Sequence, residues 1–467
     1  MPKNDALTST EQLNDIITEN LALHKNNRVT IADFMFGLLL AGTVNLNKIA
    51  NYSSRASKMN KNNIYRGYQN LIHTFKLTQT KLAIGIMKMF GLLGNCQVIL
   101  AMDRTNWQYG DKDNNLLVLS VVVNGCGVPL FWIELDTKGN SDTAERKQIM
   151  DMFILAFGAE KIRYVLADRE FIGEDWFTYM DEKEYKIKFI IRIKSNMLID
   201  TNNNDTIGCS CESVPNAPFN NNDKLSKETI YLNRTTNEIK YYLKKAWHTI
   251  RFDLDGVSSE DTILYASIME LANKQQLWVP KDKLPQCLQH LVHMITAGEL
   301  CYHATKTNIL TFYGKVGIHD LKIQSTRSTE GDLVIVVSND LQSMELLSNY
   351  GKRWAIECLF ANLKTKGFNF EDTHFTDKVR LGNLTKLLAL TFAIALLLGI
   401  IKSISAPIII KKHGRKEHSY FRYGHDLLIT MIMFDIQLVI RLIRLCFLDL
   451  EWSERIKVIK KELSAFK

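Results

Sequence analysis

The 467 residues are 46% hydrophobic and 23% charged, the mix of an ordinary globular protein with about two to four domains. With 10% aromatics and only seven prolines, disordered and collagen-like classes are excluded. The formal net charge of +8, from 58 Lys and Arg against 50 Asp and Glu, is mild overall but unevenly spread.

The first residues, Met1-Pro-Lys-Asn-Asp, are polar and no apolar segment follows them, so secretion is not expected. Ser9-Thr10-Glu11 opens a run in which Leu13, Ile16, Ile17 and Leu21 recur at helical spacing. Thr30-Ile-Ala-Asp33 has the form of a capping box ahead of Phe34 to Leu40. After Asp33, 69 residues pass without an acid until Asp103. They carry Lys48, Arg55, Lys58, Lys61, Arg66, Lys76, Lys81 and Lys88. Such asymmetry points to a polyanion, nucleic acid or a membrane surface, and the plainer reading is a solvated basic face. Short helices with basic connections over residues 1–92 suit a compact helical DNA-binding region, although no single helix-turn-helix stands out.

The pattern changes near Cys96. Gln97 to Met102 is a short apolar run ending at Asp103, Leu116 to Val123 is rich in β-formers, and Gly125-Cys-Gly127 reads as a turn before a strand from Val128 to Leu135. A helix is expected over 142–157 and a strand from Ile162 to Ala167, again ending at an acid, Asp168. A helix from Glu174 to Asp181 and a strand from Ile187 to Ile193 follow. The order β-β-β-α-β-α-β describes a mixed α/β sheet with crossover units, covering 93–196. Residues 197–338 differ. They hold polar loops and short β-type runs (Thr229 to Leu232, Ile263 to Ile268, Ile309 to Phe312, Leu333 to Ser338) with some helix around Leu284 to Ile295, an inserted β-rich subdomain. Helical patterns return at 342–366, 380–404 and 425–446, dividing the remainder into 339–404 and a C-terminal helical region, 405–467. Leu387 to Ile401 is 15 residues long, short for a bilayer and better read as a buried core helix.

Eight cysteines are scattered through the chain, and Cys209-Ser-Cys211 has no second half with zinc-ligand spacing. They read as reduced thiols of a cytoplasmic protein.

Chemistry concentrates in three acids. Asp103 and Asp168 both close apolar strands, and acids at strand ends can meet over one sheet edge. The third lies in Tyr350-Gly-Lys-Arg353-Trp354-Ala-Ile-Glu357-Cys-Leu-Phe-Ala-Asn-Leu-Lys364. At about 100° per residue, Tyr350, Arg353, Glu357 and Lys364 share an arc of roughly 60° on one helix. A face with one carboxylate among phosphate-binding groups is more particular than solvated charge. Asp111 and Asp113 lie in a Gly-Asp-Lys-Asp-Asn-Asn stretch and read as turn formers.

The spacing Tyr-x-x-Arg-x-x-x-Glu-x-x-x-x-x-x-Lys resembles the YREK signature of DDE-class transposases of bacterial insertion sequences. Asp103 in Met-Asp-Arg-Thr and Asp168 in Ala-Asp-Arg-Glu-Phe resemble that family's two catalytic aspartates, and Glu357 its glutamate. The resemblance spans roughly residues 93–400. It implies an RNase H-like core interrupted before the Glu-bearing helix, which agrees with separations of 65 and 189 residues between the three acids. It further implies that Asp103, Asp168 and Glu357 hold two Mg²⁺ ions, with Mn²⁺ able to substitute, for in-line displacement at phosphorus. Arg353 would clamp a DNA phosphate, Tyr350 would hydrogen-bond one, Lys364 would contact the backbone near the scissile bond, and Trp354 would stack on a flipped nucleotide. Some relatives carry a basic residue four positions after the glutamate; Ala361 stands there, leaving that contact to another residue such as Lys366.

The implied activity is cut-and-paste transposition on double-stranded DNA, at transposon ends and target, by a bacterial, nucleoid-associated homodimer with 425–446 as the natural dimerisation segment. The rivals are a nuclease of the same fold that cuts without joining, and an inactive DNA-binding remnant. Membrane binding would need a basic amphipathic helix in place of basic residues dispersed among Asn and Ser.

Overall fold

A computed structural model describes residues 3–21, 28–109, 112–135, 139–182, 186–193, 300–302, 310–316, 318–327, 333–412 and 414–465. The elements expected at Thr229 to Leu232, Ile263 to Ile268 and Leu284 to Ile295, and the Cys209/Cys211 pair, lie outside the described residues. The chain forms two compact units, residues Met1–Arg163 with Arg353–Lys467, and Tyr164–Lys352.

The first unit opens with five helices, α1 (Lys3–Asn20), α2 (Arg28–Ala41), α3 (Leu46–Ala50), α4 (Lys61–Thr74) and α5 (Gln79–Met89). Asn45, Asn60 and Thr78 cap α3, α4 and α5 by accepting backbone N–H groups. Asp33 does not take the capping role expected of it. It lies inside α2, 1% exposed. Its carboxylate accepts from Ser53 Oγ (2.7 Å), Ser54 N (2.7 Å), Ser54 Oγ (2.7 Å), Arg55 Nε (3.1 Å) and Tyr68 OH (2.8 Å). Five donors satisfy a buried charge and tie α2, the loop after α3 and α4 together. The acid that ends the acid-bearing segment thus faces inward, while Lys48, Lys58, Lys61, Arg66, Lys76 and Lys81 are exposed.

Three antiparallel strands follow, β1 (Val98–Tyr109), β2 (Lys112–Val123) and β3 (Cys126–Glu134). The β2–β3 turn is Asn124-Gly125, both at positive φ (48° and 78°), one residue earlier than the glycine pattern suggests. This two-residue turn matches the twist of the hairpin. β1 runs well beyond the apolar stretch. Asp103 lies mid-strand opposite Val118, and the pairing continues to Tyr109 opposite Lys112. Asp103 therefore does not close its strand. Buried Thr105 and Trp107 carry the strand onward, with the Trp107 ring 4.8 Å from that of Phe370. Asp113, read as a turn former, is paired within β2 opposite Gln108, and Asp111 lies outside the described residues. Helix α6 (Thr143–Phe157) starts with a complete capping box between Asp142 and Glu145.

In the second unit, β4 (Ile162–Ala167), which straddles the division, pairs in parallel with β5 (Phe189–Arg192) across helix α7 (Glu174–Asp181). Beyond β5 the strands are antiparallel: β9 (Leu333–Ser338), then β8 (His319–Arg327), β7 (Leu310–Val316) and β6 (Leu300–Tyr302). Residues 333–338, assigned from sequence to the insertion, thus lie next to β5 in the same sheet. Their unbroken apolar character is that of a strand covered on both faces. The turn after β9 is fixed by Asp340, which accepts from Tyr164 OH at 2.7 Å and pairs with Lys188 Nζ at 3.1 Å. Burial works against this carboxylate, but those two partners outweigh it and hold its pKa below the ordinary value. Helix α8 (Leu346–Gly351) ends this unit.

The chain returns to the first unit with α9 (Trp354–Leu363), α10 (Lys378–Ser405), α11 (Tyr420–Phe434), α12 (Ile436–Phe447) and α13 (Trp452–Ala465). α10 is long and apolar enough to cross a membrane by length and composition alone. Here 83% of its most apolar window is buried, and it packs on α11, β3, α4 and α5 as a core helix. A Cβ on Gly399 would meet Tyr420 O at 1.9 Å and one on Gly424 would meet Ala395 O at 1.8 Å, so only glycine permits this α10–α11 crossing. The single helix expected over 425–446 is two, because Asp435 leaves helical geometry and caps α12 through Leu438 N (3.0 Å). Cys126 and Cys446 are buried thiols pushed up to about 12 by burial, hence protonated and unreactive.

Helix α13, which falls within the C-terminal helical region expected over 405–467, contributes a buried staple. Arg455, 3% exposed, donates to Lys88 O (2.6 Å) and Met89 O (3.1 Å) at the end of α5. It also donates to Cys446 O, Leu448 O and Leu450 O at the end of α12 (3.3, 2.7 and 3.1 Å). One guanidinium gathers carbonyls at and just beyond the ends of two helices and opposes both negative dipole ends. Arg455→Leu strands these carbonyls, and a loss of about 3 kcal/mol is expected. A lowered urea midpoint in chemical denaturation is the measurement.

Candidate active site

Two Asp-Arg dipeptides share one local geometry. Asp103 Oδ1 accepts from Arg104 N at 2.8 Å, and Asp168 Oδ1 accepts from Arg169 N at 2.8 Å. Each carboxylate is steered by the amide that follows it, leaving the second oxygen to point elsewhere. In the second unit, half-buried Asp168 directly follows β4, and Phe171 N donates to its carbonyl at 3.0 Å. Tyr350 OH donates to Asp168 Oδ1 at 3.4 Å, so the first member of the Tyr-Arg-Glu-Lys set holds the aspartate after β4.

In the first unit, the second oxygen of Asp103 accepts from Arg353 Nη1 at 2.9 Å. Arg353 Nη2 donates to Glu357 Oε1 at 3.2 Å. A single guanidinium, with its side chain only 11% exposed, thus bridges carboxylates from β1 and α9. Its planar fork suits this use, since separate N–H groups serve each acid. The approach of α9 to the sheet depends on Gly127, where a Cβ would meet Ala355 O at 3.1 Å and Ser120 Oγ at 2.9 Å.

The continuous helix face expected from Tyr350 to Lys364 is not formed. α8 ends at Gly351 and α9 begins at Trp354, with a turn between them. Lys364 caps the far end of α9 outside helical geometry. Its ammonium donates to Asn106 O (3.0 Å), pairs with Glu371 Oε1 (2.7 Å) and sits over the Trp107 ring (5.9 Å). It therefore fastens the far half of β1 to the loop after α9. Glu371 was not anticipated, and the one signal for it is an acid seven residues after a lysine that ends a helix. Trp354 is 66% exposed, a large ring facing solvent beside the bridge. Lys366 is exposed and Ala361 half-buried.

Asp103 and Glu357 offer hard oxygen donors converging on one positive group, a set that suits Mg²⁺, which commonly takes one or two carboxylates plus water and substrate phosphate. Among the described residues no group of three His, Cys, Asp or Glu side chains is placed to hold a metal alone. The guanidinium is the cation now compensating these two charges, so a divalent ion competes with it for the same oxygens. Arg353→Gln removes that competitor, and tighter Mg²⁺ binding, by about tenfold, is expected by calorimetry on the variant without DNA.

Residues 94–395 match the family model described as a transposase DDE domain. No curated protein matches the sequence. Among solved structures, the piggyBac transposase in a synaptic complex with hairpin DNA aligns with 97% of this chain and 85% of that chain, at 9% identity and a TM-score of 0.39. The family match covers about two thirds of the chain and includes Asp103, Asp168, Tyr350, Arg353, Glu357 and Lys364. The chain belongs to the transposase DDE-domain family.

Proposed function

We propose that the protein is a cut-and-paste transposase of a bacterial insertion sequence, of the group with the Tyr-Arg-Glu-Lys signature. It binds the terminal inverted repeats of its element, cuts the DNA and joins the freed 3′-OH ends to a target. The observation that carries this reading is the bridged pair of carboxylates, Asp103 on β1 and Glu357 on α9, from residues 254 positions apart inside the matched family region.

Asp103, Asp168 and Glu357 are the metal-holding acids, of an RNase H-like core. Two Mg²⁺ ions, or Mn²⁺ in their place, supply activation of the attacking oxygen and charge stabilisation at the leaving one. The remaining work falls to the chain. Arg353 exchanges a carboxylate for a scissile-strand phosphate and holds it with two parallel N–H groups. Tyr350 donates its hydroxyl to a phosphate oxygen. Lys364 has three N–H donors, of which Asn106 and Glu371 take two, and the third serves the DNA backbone. The exposed Trp354 ring receives an unstacked base. The exposed lysines and Arg66 of the N-terminal helices take phosphates of the terminal repeat. The protein acts as a homodimer on two ends, at the nucleoid in the cytoplasm.

The test is incubation with Mg²⁺ and a DNA carrying the element's ends, scored for excised and joined products. Asp103→Asn, Asp168→Asn and Glu357→Gln are each expected to lose cleavage by about 10³-fold or more while DNA affinity stays within a few-fold. Full joining in Asp168→Asn removes that residue from the site, and cleavage without joining in the parent protein identifies a nuclease instead. Trp354→Ala is expected to weaken binding of a duplex with an unpaired base by about 1–3 kcal/mol, more than that of intact duplex.

A further inference from the structure

Residues 406–419 connect α10 to α11. Antiparallel helices that cross as tightly as these need only about 2–5 connecting residues. The fourteen present form a hairpin. Ile410 and Lys416 are bridged, Lys411 N donates to Arg415 O (2.9 Å), and Glu417 N donates to Ile409 O (2.8 Å). The tip closes where Gly414 N donates to Lys411 O (2.8 Å), with Gly414 at φ 77° as a bulged hairpin turn requires. The base is anchored by Tyr423 OH on Ala406 O (3.1 Å), and Lys416 lies over the Tyr420 ring at 3.7 Å. The connection is a stiff arm.

Its surface is unusual in two respects. Ile409 and Ile410 are 67% and 66% exposed. Successive strand residues face opposite sides, so both faces of the arm at this point are uncovered by the described residues. Between Ile408 and Arg422 the sequence holds Lys411, Lys412, Arg415, Lys416 and Arg422 against one acid, Glu417. β-branched side chains on a rigid hairpin rimmed by cations match a polyanion with an apolar interior reached through a narrow opening. Duplex DNA is that partner, since apolar wedges flanked by Lys and Arg enter its minor groove and bend it.

We propose that the 408–418 hairpin is a DNA-bending arm, with Lys412 and Arg415 on phosphates and Ile409 and Ile410 pressed into the minor groove. This rests on the reading of the protein as DNA-binding but not on its chemistry.

The experiment uses the full chain and a 20-bp A·T-rich duplex labelled at both ends for energy transfer. Lys412→Ala with Arg415→Ala is expected to lower the slope of log affinity against log salt by about two, and affinity at 0.15 M salt about tenfold. Ile409→Ser with Ile410→Ser is expected to keep that slope and lose the end-to-end energy transfer that reports bending. All four positions are solvent-facing, so unchanged thermal melts are the control for folding. Parent-like affinity and bending in both double variants overturns the arm. So does a change of sedimentation coefficient in the isoleucine variant, which makes the patch a contact between copies, or parent-like DNA binding with lost binding to anionic vesicles in the basic variant. If the parent neither cuts nor joins end-bearing DNA yet both variants behave as expected, the arm stands and the transposase reading falls.

Discussion

Two carboxylates held against one another in a folded protein repel unless a cation lies between them, and the first unit is organised around supplying one. Arg353 comes from the turn that opens α9, reaches Asp103 on the sheet and Glu357 one helical turn onward, and neutralises both. The rest of the unit makes that reach possible. β1 extends past its apolar start so that Asp103 lies within a paired strand, Gly127 lets α9 settle against the sheet, and Lys364 pins the far half of β1 to the loop after α9. Behind them, α10 gives a buried, nearly all-apolar spine. A bridge of this kind is a balance of large opposing terms, desolvation against Coulomb attraction, and favours position over stability.

The same economy of charge recurs away from the site. Asp33 is turned inward onto five donors, which leaves the exposed charges of α3, α4 and α5 all basic. Arg455 is turned inward onto five carbonyls, so one buried cation holds two helix ends. In both places a charged side chain does structural work because several polar partners converge on it in place of water.

The order of strands and helices from Gln97 to Ile193 was legible because periodicity changes there from 3.6 to 2 and α6 carries its own capping box. The limits of β1 were not. Arg104-Thr105-Asn106-Trp107 lacks apolar alternation, and it is a strand because β2 pairs with it and Phe370 covers Trp107. The break between Tyr350 and Arg353 escaped a helical-wheel reading for a related reason. Equal spacing on a wheel says nothing about where a helix stops, and Gly351 ends one helix before Trp354 opens the next. The identities of Asp103, Arg353 and Glu357 were readable as a spaced pattern, whereas the fact that one guanidinium bridges the two acids depends on tertiary approach. Glu371 and the Arg455 staple had no motif to announce them.

The Asp103–Arg353 contact closes a loop of 250 residues, and this has a consequence for the protein while it is being made. At roughly 5–20 residues per second, Asp103 leaves the ribosome some 12–50 s before Arg353 does. Throughout that interval the chain already carries the basic N-terminal helices but not the α9 carboxylate or its counter-ion. A nascent chain therefore presents the basic surface proposed to bind DNA before the two acids proposed to hold metal can meet. The bridged pair forms only with the last quarter of synthesis, and a product truncated before α9 carries the basic surface and Asp103 without Glu357 or its counter-ion.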